Sequence, residues 1–213
     1  LSVLSLPHSN LRGKIPSWIT NLTNLAYIDL ARNIIQGEIP NFLSKLAMLK
    51  TFTLYSYLLD GELELDKFLI LKNQVFVSFS YNNFSLVSEK NTSNVSLSRI
   101  QVLGLRSCNL IEFQNFLGDL AQLLYVYMSN NNVDSFLHWM WGKTSLRVLD
   151  VSQNSLRGKM SPLICNLKSL VHLELSFNKM SGMVPSCLGN KHRGPKFIIN
   201  VAREKKMGIK SHQ

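Results

Sequence analysis

Charge is scarce in this chain. Asp, Glu, Lys and Arg make up 17% of 213 residues against 46% hydrophobic, the reverse of what a disordered chain needs, so the composition selects a polypeptide that folds around a core. No apolar run approaches the 18 or so residues that cross a bilayer, and no basic-then-apolar leader opens the chain. Three cysteines allow one disulfide and leave one thiol over, and none has zinc-ligand spacing. There is no phosphate-cradling glycine loop and no G-x-S-x-G elbow. The histidines His8, His138, His172, His192 and His212 are scattered, none at a spacing that predicts contact with a cysteine or carboxylate. The acidic run Asp60, Glu62, Glu64, Asp66 alternates with Leu63 and Leu65 and reads as the solvated side of a turn, not as a metal site. The expectation is therefore no catalysis, no cofactor and no metal.

What the chain has instead is periodicity. The frame L-x-x-L-x-L-x-x-N-x-L-x-G-x-I-P recurs in eight copies opening at Leu1, Leu25, Leu49, Gln74, Ile100, Leu123, Leu146 and Leu170, spaced by 24, 24, 25, 26, 23, 23 and 24 residues. A period of that length implies a solenoid, which works by presenting a surface. In L-x-x-L-x-L the apolar slots alternate with polar ones, the period-2 pattern of a half-buried strand. Each coil thus supplies one strand to a parallel sheet on the concave face, with 3-10 or irregular segments on the convex return, an α/β leucine-rich-repeat architecture. The ninth slot holds Asn33, Asn82, Asn131, Asn154 and Asn178, amides suited to bonding backbone in two coils at once. Ser9 and Cys108 replace it with small residues, and Tyr57 is too large for it, so the third coil is expected to be distorted.

The repeat body is placed at residues 1–190. The sequence starts inside a strand and reads as a piece of a longer array. Residues 191–213 leave the frame and carry +6 of the net charge of +10, so they are expected to form a basic non-repeat tail and no ninth coil. A basic tail on a nearly balanced body does not make a nucleic-acid interface.

On the back of the coils, Gly13-Lys-Ile15-Pro16, Gly37-Glu-Ile39-Pro40 and Gly182-Met-Val184-Pro185 repeat a G-x-[IV]-P module, and Gly158-Lys-Met160 keeps it with the proline displaced to Pro162. This resembles the plant-specific class of extracellular leucine-rich repeats. The phrases LGLRSCNLIEF from Leu103, GKTSLRVLDVSQNSL from Gly142, ICNLKSL from Ile164 and VPSCLGN from Val184 are similar to the ectodomains of plant receptor-like proteins of the pathogen-resistance type. The resemblance implies a plasma-membrane receptor with a secreted repeat domain in defence signalling, an extracellular peptide, protein or glycan ligand, and partner co-receptor kinases. A secreted repeat-type inhibitor of a pathogen hydrolase and a truncated, non-functional remnant are the alternatives.

Four sequons, at Asn21, Asn83, Asn91 and Asn94, fit N-x-[ST] and mark candidate glycosylation sites. Cys165 and Cys187 fall near the same edge of adjacent coils, about 5 Å apart if coil spacing follows strand spacing, which suits a bridge. Cys108 in an Asn slot reads as a buried small residue. The outward strand slots are free of structural duty, and they carry Tyr27, Arg32, Tyr55, Phe76, Tyr81, Arg106, Tyr125, Tyr127, His172 and Phe177. Aromatics and Arg carry binding energy at interfaces, so these are the candidate ligand contacts, with cross-strand covering as the competing role. Asp29 and Asp150, at the fifth slot, read as structural.

Overall fold

The computed structural model describes the chain except residues 41, 42, 44, 57, 66–72, 88–98, 113, 114, 136, 137, 190–197 and 202–213. Its main feature is a nine-stranded parallel sheet in which the strands follow chain order. The strands are Val3–Ser5, Tyr27–Asp29, Thr51–Thr53, Phe76–Ser78, Val102–Gly104, Tyr125–Tyr127, Val148–Asp150, His172–Glu174 and Ile198–Asn200. Register is fixed by the repeat: Leu4, Ile28, Phe52, Val77, Leu103, Val126, Leu149, Leu173 and Ile199 sit in one row. Every other strand residue faces away from the core, as the pleat requires.

The core is one continuous column. Leu25, Ile28, Leu49, Phe52, Leu54, Val77, Phe79, Leu103, Leu105, Leu123, Val151 and Leu173 are all fully enclosed, and the rings of Phe52 and Phe79 meet edge to face at 5.4 Å. The return path carries 3-10 segments at Ser17–Asn21, Asn115–Asp119, His138–Gly142 and Pro162–Asn166 and a helical turn at Ser186–Gly189. Small back strands lead into the glycine module that bends the chain: Gly37 lies within Ile34–Glu38 and Gly182 directly follows Lys179–Ser181, and they take φ of 84° and 83°, a region open to glycine at no steric cost.

The ninth-slot amides behave as ladder rungs. Asn33 donates from Nδ2 to the Leu6 carbonyl of the preceding coil at 2.8 Å and to Leu30 of its own at 2.9 Å, while Oδ1 accepts from the amides of Ser9 and Leu11, both at 3.0 Å. Asn131 repeats the set with Leu105, Met128, Cys108 and Leu110. Between the third and fourth coils only the donating half of the ladder is found among the described residues. Asn82 donates to Leu54 and Phe79, each at 2.8 Å, but its buried Oδ1 finds no partner among the described residues. Tyr57, in the slot before it, lies outside the described residues. Its neighbour Ser56 is buried and donates its hydroxyl to the carbonyls of Asn33 and Ile35.

One expectation is corrected. Residues 191–213 were expected to contribute no ninth coil, with the repeat body ending at 190, yet Ile198–Asn200 is a strand paired in register with His172–Glu174. The Ile198 amide donates to Val171 at 2.9 Å and the Leu175 amide to Asn200 at 2.7 Å, the pattern that joins every earlier pair. Ile199 and Val201 pack against the core. The eighth coil otherwise ends in an open row of donors and acceptors, and alternation of Ile199 and Val201 is enough to occupy it despite Lys196 in the first leucine slot. The rest of that tail lies outside the described residues.

Among the described residues, two polar side chains occupy leucine slots. Lys143 stands where Leu46, Leu120 and Leu167 are buried in their coils. Its Nζ donates to the carbonyls of Gly118 and Leu120. Burial lowers its pKa, partly opposed by the Asp119 carboxylate. Gln74 opens the fourth coil fully buried, and neither amide atom has a partner among the described residues. A buried amide without partners costs about 1–3 kcal/mol, and Leu49 and Ile100, in the same slot of the neighbouring coils, have no such cost. Gln74→Leu should therefore raise stability by about 1–3 kcal/mol in urea unfolding. A neutral or destabilising result would show that the amide is satisfied.

Candidate ligand-recognition face

The sheet face is built by the third, fifth, seventh and eighth slots of each coil. The third-slot residues Tyr27, Phe76, Tyr125 and His172 lie in one register row, separated by Thr51, Val102 and Val148. They are half-buried and do not form one aromatic patch.

The seventh and eighth slots do come together. The eighth slot holds a left-handed backbone in seven coils, at His8, Arg32, Tyr81, Ser107, Asn130, Gln153 and Phe177, with φ from 52° to 62°. That conformation turns the chain out of the strand. Tyr55 and Tyr81 stack at 4.5 Å between centroids with a 29° interplanar angle, the Arg32 guanidinium lies 5.9 Å from the Tyr55 ring centre, and Arg32 Nη1 meets His8 Nε2 at 3.3 Å. The result is a continuous line from His8 through Arg32 and Tyr55 to Tyr81. In the sequence His8 is one of five scattered histidines. Its position 24 residues before Arg32, in the same slot, is the signal that places it in this row.

A second cluster crosses the fifth to seventh coils. Arg106 Nη2 reaches Asp150 Oδ2 at 2.7 Å, passing over the intervening coil, where its guanidinium carbon sits 4.5 Å from the Tyr127 ring centre. Ser129 donates its hydroxyl to the same Oδ2 at 3.0 Å, while Asp150 Oδ1 accepts from the Ser152 amide and hydroxyl. Asp29 Oδ1 accepts from Ala31 and Glu174 Oε1 from Ser176 in the same way. The fifth-slot acids thus cap the seventh-slot amide of their own turn. At the far end Phe177 stands 53% exposed. The ten candidates therefore divide. Arg32, Tyr55 and Tyr81 form one cluster, Arg106 and Tyr127 a second, the third-slot residues a discontinuous row, and Phe177 stands apart.

The cysteines sit as follows. Cys165 and Cys187 are joined, with Cα atoms 5.8 Å apart, between the back edges of the seventh and eighth coils. Cys108 is fully buried; its Sγ lies 3.4 Å from the Phe79 carbonyl and 3.3 Å from that of Arg106, and its amide donates to Asn131 Oδ1. Burial pushes its thiol up to about 12. Of the sequons, Asn21 and Asn83 are exposed, and Asn91 and Asn94 lie outside the described residues.

The Leucine Rich Repeat family model matches residues 24–46, 145–167 and 169–191. Among curated proteins, Receptor-like protein 47 of Arabidopsis thaliana is 36% identical over 106 residues, covering 48% of this chain and 13% of the relative. Receptor like protein 24 of the same plant is 25% identical over 189 residues, covering 87% of this chain and 19% of the relative. The chain thus spans less than a fifth of either relative's length. Among solved structures, the Arabidopsis receptor kinase HAESA, in complex with the peptide hormone IDA and the co-receptor SERK1, superposes with a TM-score of 0.76 at 23% identity, covering 89% of this chain and 32% of that one. A plant ice-binding protein gives 0.70 at 24% identity, covering 89% and 61%. These two establish the fold alone. The chain is a leucine-rich-repeat solenoid similar in sequence to plant receptor-like proteins.

Two outcomes follow from the geometry. Asp150→Ala unpairs the Ser152 amide and the Arg106 head together. It should cost about 2–3 kcal/mol in urea unfolding, with the half-exposed Arg106 pair supplying no more than about 1 kcal/mol of that. Loss of less than half a kcal/mol would show the network to be solvent-replaceable. The Cys108 thiol should resist a disulfide-exchange reagent at about pH 8 until denaturant is added; rapid labelling of the folded chain would contradict its burial.

Proposed function

We propose that this chain is a ligand-recognising part of the ectodomain of a plant receptor-like protein, exposed on the outer side of the plasma membrane, and that its sheet face binds an extracellular peptide or protein. The observation that carries this reading is the grouping of Arg32, Tyr55 and Tyr81, beside Arg106 and Tyr127, on one face of a rigid sheet. Large aromatic rings held in place by stacking bind at little entropic cost. Arg106 is neutralised by Asp150, so the face offers planar, amphipathic surface and not bare positive charge. Similarity to receptor-like proteins supports a cell-surface role. Signalling through a partner kinase, and a role in defence, extend the same reading: an extracellular surface needs an enzyme partner to transmit occupancy.

The roles of the two central tyrosines separate. Tyr127 lies against Arg106, so truncating it disturbs the Arg106 geometry as well as the surface. Tyr125 is half-buried between Val102 and Val148 in its register row, and it gives the cleaner test. With the chain immobilised and low-molecular-weight peptides from plant extracellular fluid passed over it, Tyr125→Ala should cut capture about tenfold, the 1–2 kcal/mol or so of a buried interface aromatic. Trp18→Ala, on the exposed return path, should leave it unchanged. The reverse pattern would move the site off the sheet.

A further inference from the structure

The fifth coil departs from the frame at its ninth slot, and the departure shapes a pocket. Where an Asn is replaced by Ser9 or Cys108, the tenth-slot residue also turns left-handed, Asn10 at 55° and Asn109 at 56°; in the coils that keep the Asn it does not. On the flank beside Cys108 this opens a pocket of about 450 Å³ lined by Ser107, Asn109, Ile111, Asn130, Asn131 and Asn132. The lining carries no charge. Asn131 is committed to the ladder. Asn130 donates from Nδ2 to Ser107 Oγ at 2.8 Å, Asn132 accepts at Oδ1 from Ser155 at 2.9 Å, and Asn109 donates from Nδ2 to Asn83 Oδ1. Asn130 Oδ1, Asn109 Oδ1 and Asn132 Nδ2 remain without a bond among the described residues, and Ile111 beside them is 70% exposed. Two acceptors, one donor and an apolar patch match a neutral sugar ring, whose hydroxyls donate and accept and whose C–H face is apolar. A charged ligand would find nothing there to pair with.

Asn83 ties this pocket to the chain's own chemistry. It is exposed, it opens the sequon Asn83-Phe84-Ser85, and its Oδ1 is held by Asn109, a pocket residue. Its Nδ2, the atom a glycan modifies, makes no bond among the described residues. We propose that the flank pocket is a saccharide site, and that its occupant in the secreted protein is the first N-acetylglucosamine of a glycan on Asn83. The modification replaces one N–H of Nδ2 by a bond to the anomeric carbon of a lipid-diphosphate-linked oligosaccharide; the lipid diphosphate is the leaving group and the proton departs with it. The amide keeps its Oδ1, so the Asn109 bond survives attachment. The proposal rests on the extracellular reading above but not on the sheet face.

The test uses the whole chain secreted from plant cells. Intact-glycopeptide mass spectrometry should find Asn83 occupied. After trimming to a single sugar, its acetyl methyl should show nuclear Overhauser contacts to the Ile111 methyls. The trimmed protein should melt about 2 °C above Asn83→Gln, a gain of under 1 kcal/mol for a domain of this size, and Ile111→Ser should abolish that gain while leaving occupancy intact. An unmodified Asn83, or an attached sugar with no contact to Ile111, overturns the assignment. Free N,N′-diacetylchitobiose distinguishes the sources. If it shifts the Ile111 and Asn132 resonances of Asn83→Gln while the attached sugar makes no contact, the pocket belongs to an outside saccharide and the own-glycan occupant is wrong.

Discussion

The structure depends on one repeated interaction, a side-chain amide that bonds the backbone of two coils at once. Asn33, Asn131, Asn154 and Asn178 each donate to a carbonyl of the preceding coil and to one of their own, and accept from the preceding coil's return path. Turns that leave a sheet expose backbone groups that must be paired if they are buried. Here the residue that ends each strand pairs them, so the fold needs neither long loops nor a separate cap for each coil. The strand ladder on one side and the amide ladder on the other hold coil spacing constant.

Interruptions of that ladder explain the local irregularities. At Asn82 the buried Oδ1 has no partner among the described residues, next to a coil whose ninth slot is Tyr57. At Cys108 the thiol reaches the preceding coil's Phe79 carbonyl at 3.4 Å and, in its own coil, the Arg106 carbonyl at 3.3 Å in place of the sixth-slot one, and cannot supply the amide's second set of bonds. The turn tightens into two left-handed residues, Ser107 and Asn109, and the flank pocket results. A substitution that is conservative in size is thus not conservative in geometry, because it exchanges four directed bonds for two weak ones.

Much of this was legible in the residues. Leu, Ile and Phe at the fourth and sixth slots predict the enclosed row from Ile28 to Leu173, and the G-x-[IV]-P module predicts the positive φ of Gly13, Gly37, Gly158 and Gly182. Slot counting brought Cys165 and Cys187 to neighbouring edges, at 5.8 Å. Cross-coil pairing was less legible, since residues 24 or 44 apart become partners only after the register is known. Arg106 was singled out as a ligand contact and Asp150 as structural, but their bond at 2.7 Å over Tyr127 depends on the length of an arginine reaching two coils away. Charge and the lost leucine at Lys196 hide the strand at Ile198–Asn200 in the sequence, where two apolar residues carry its only signal. An open parallel edge sets a lower threshold for pairing than an isolated repeat does, since the partner strand is already ordered.

That threshold bears on how the face is used. In a solenoid each coil is stabilised by its neighbours, so the side chains of the sheet face can change as long as the inward row and the amide ladder stay filled. The outward slots here are nevertheless not independent of the fold. Asp150 caps its own turn while holding Arg106, and Arg106 in turn covers Tyr127. Tyr55 and Tyr81 cover each other across adjacent coils. The residues proposed for recognition and those that stabilise the turns therefore coincide at the centre of the face and separate toward Phe177, which is exposed in the eighth coil. A surface of this kind gains specificity by rigidity: the partners that fix each ring are themselves fixed by the ladder, so little ordering remains for a ligand to induce.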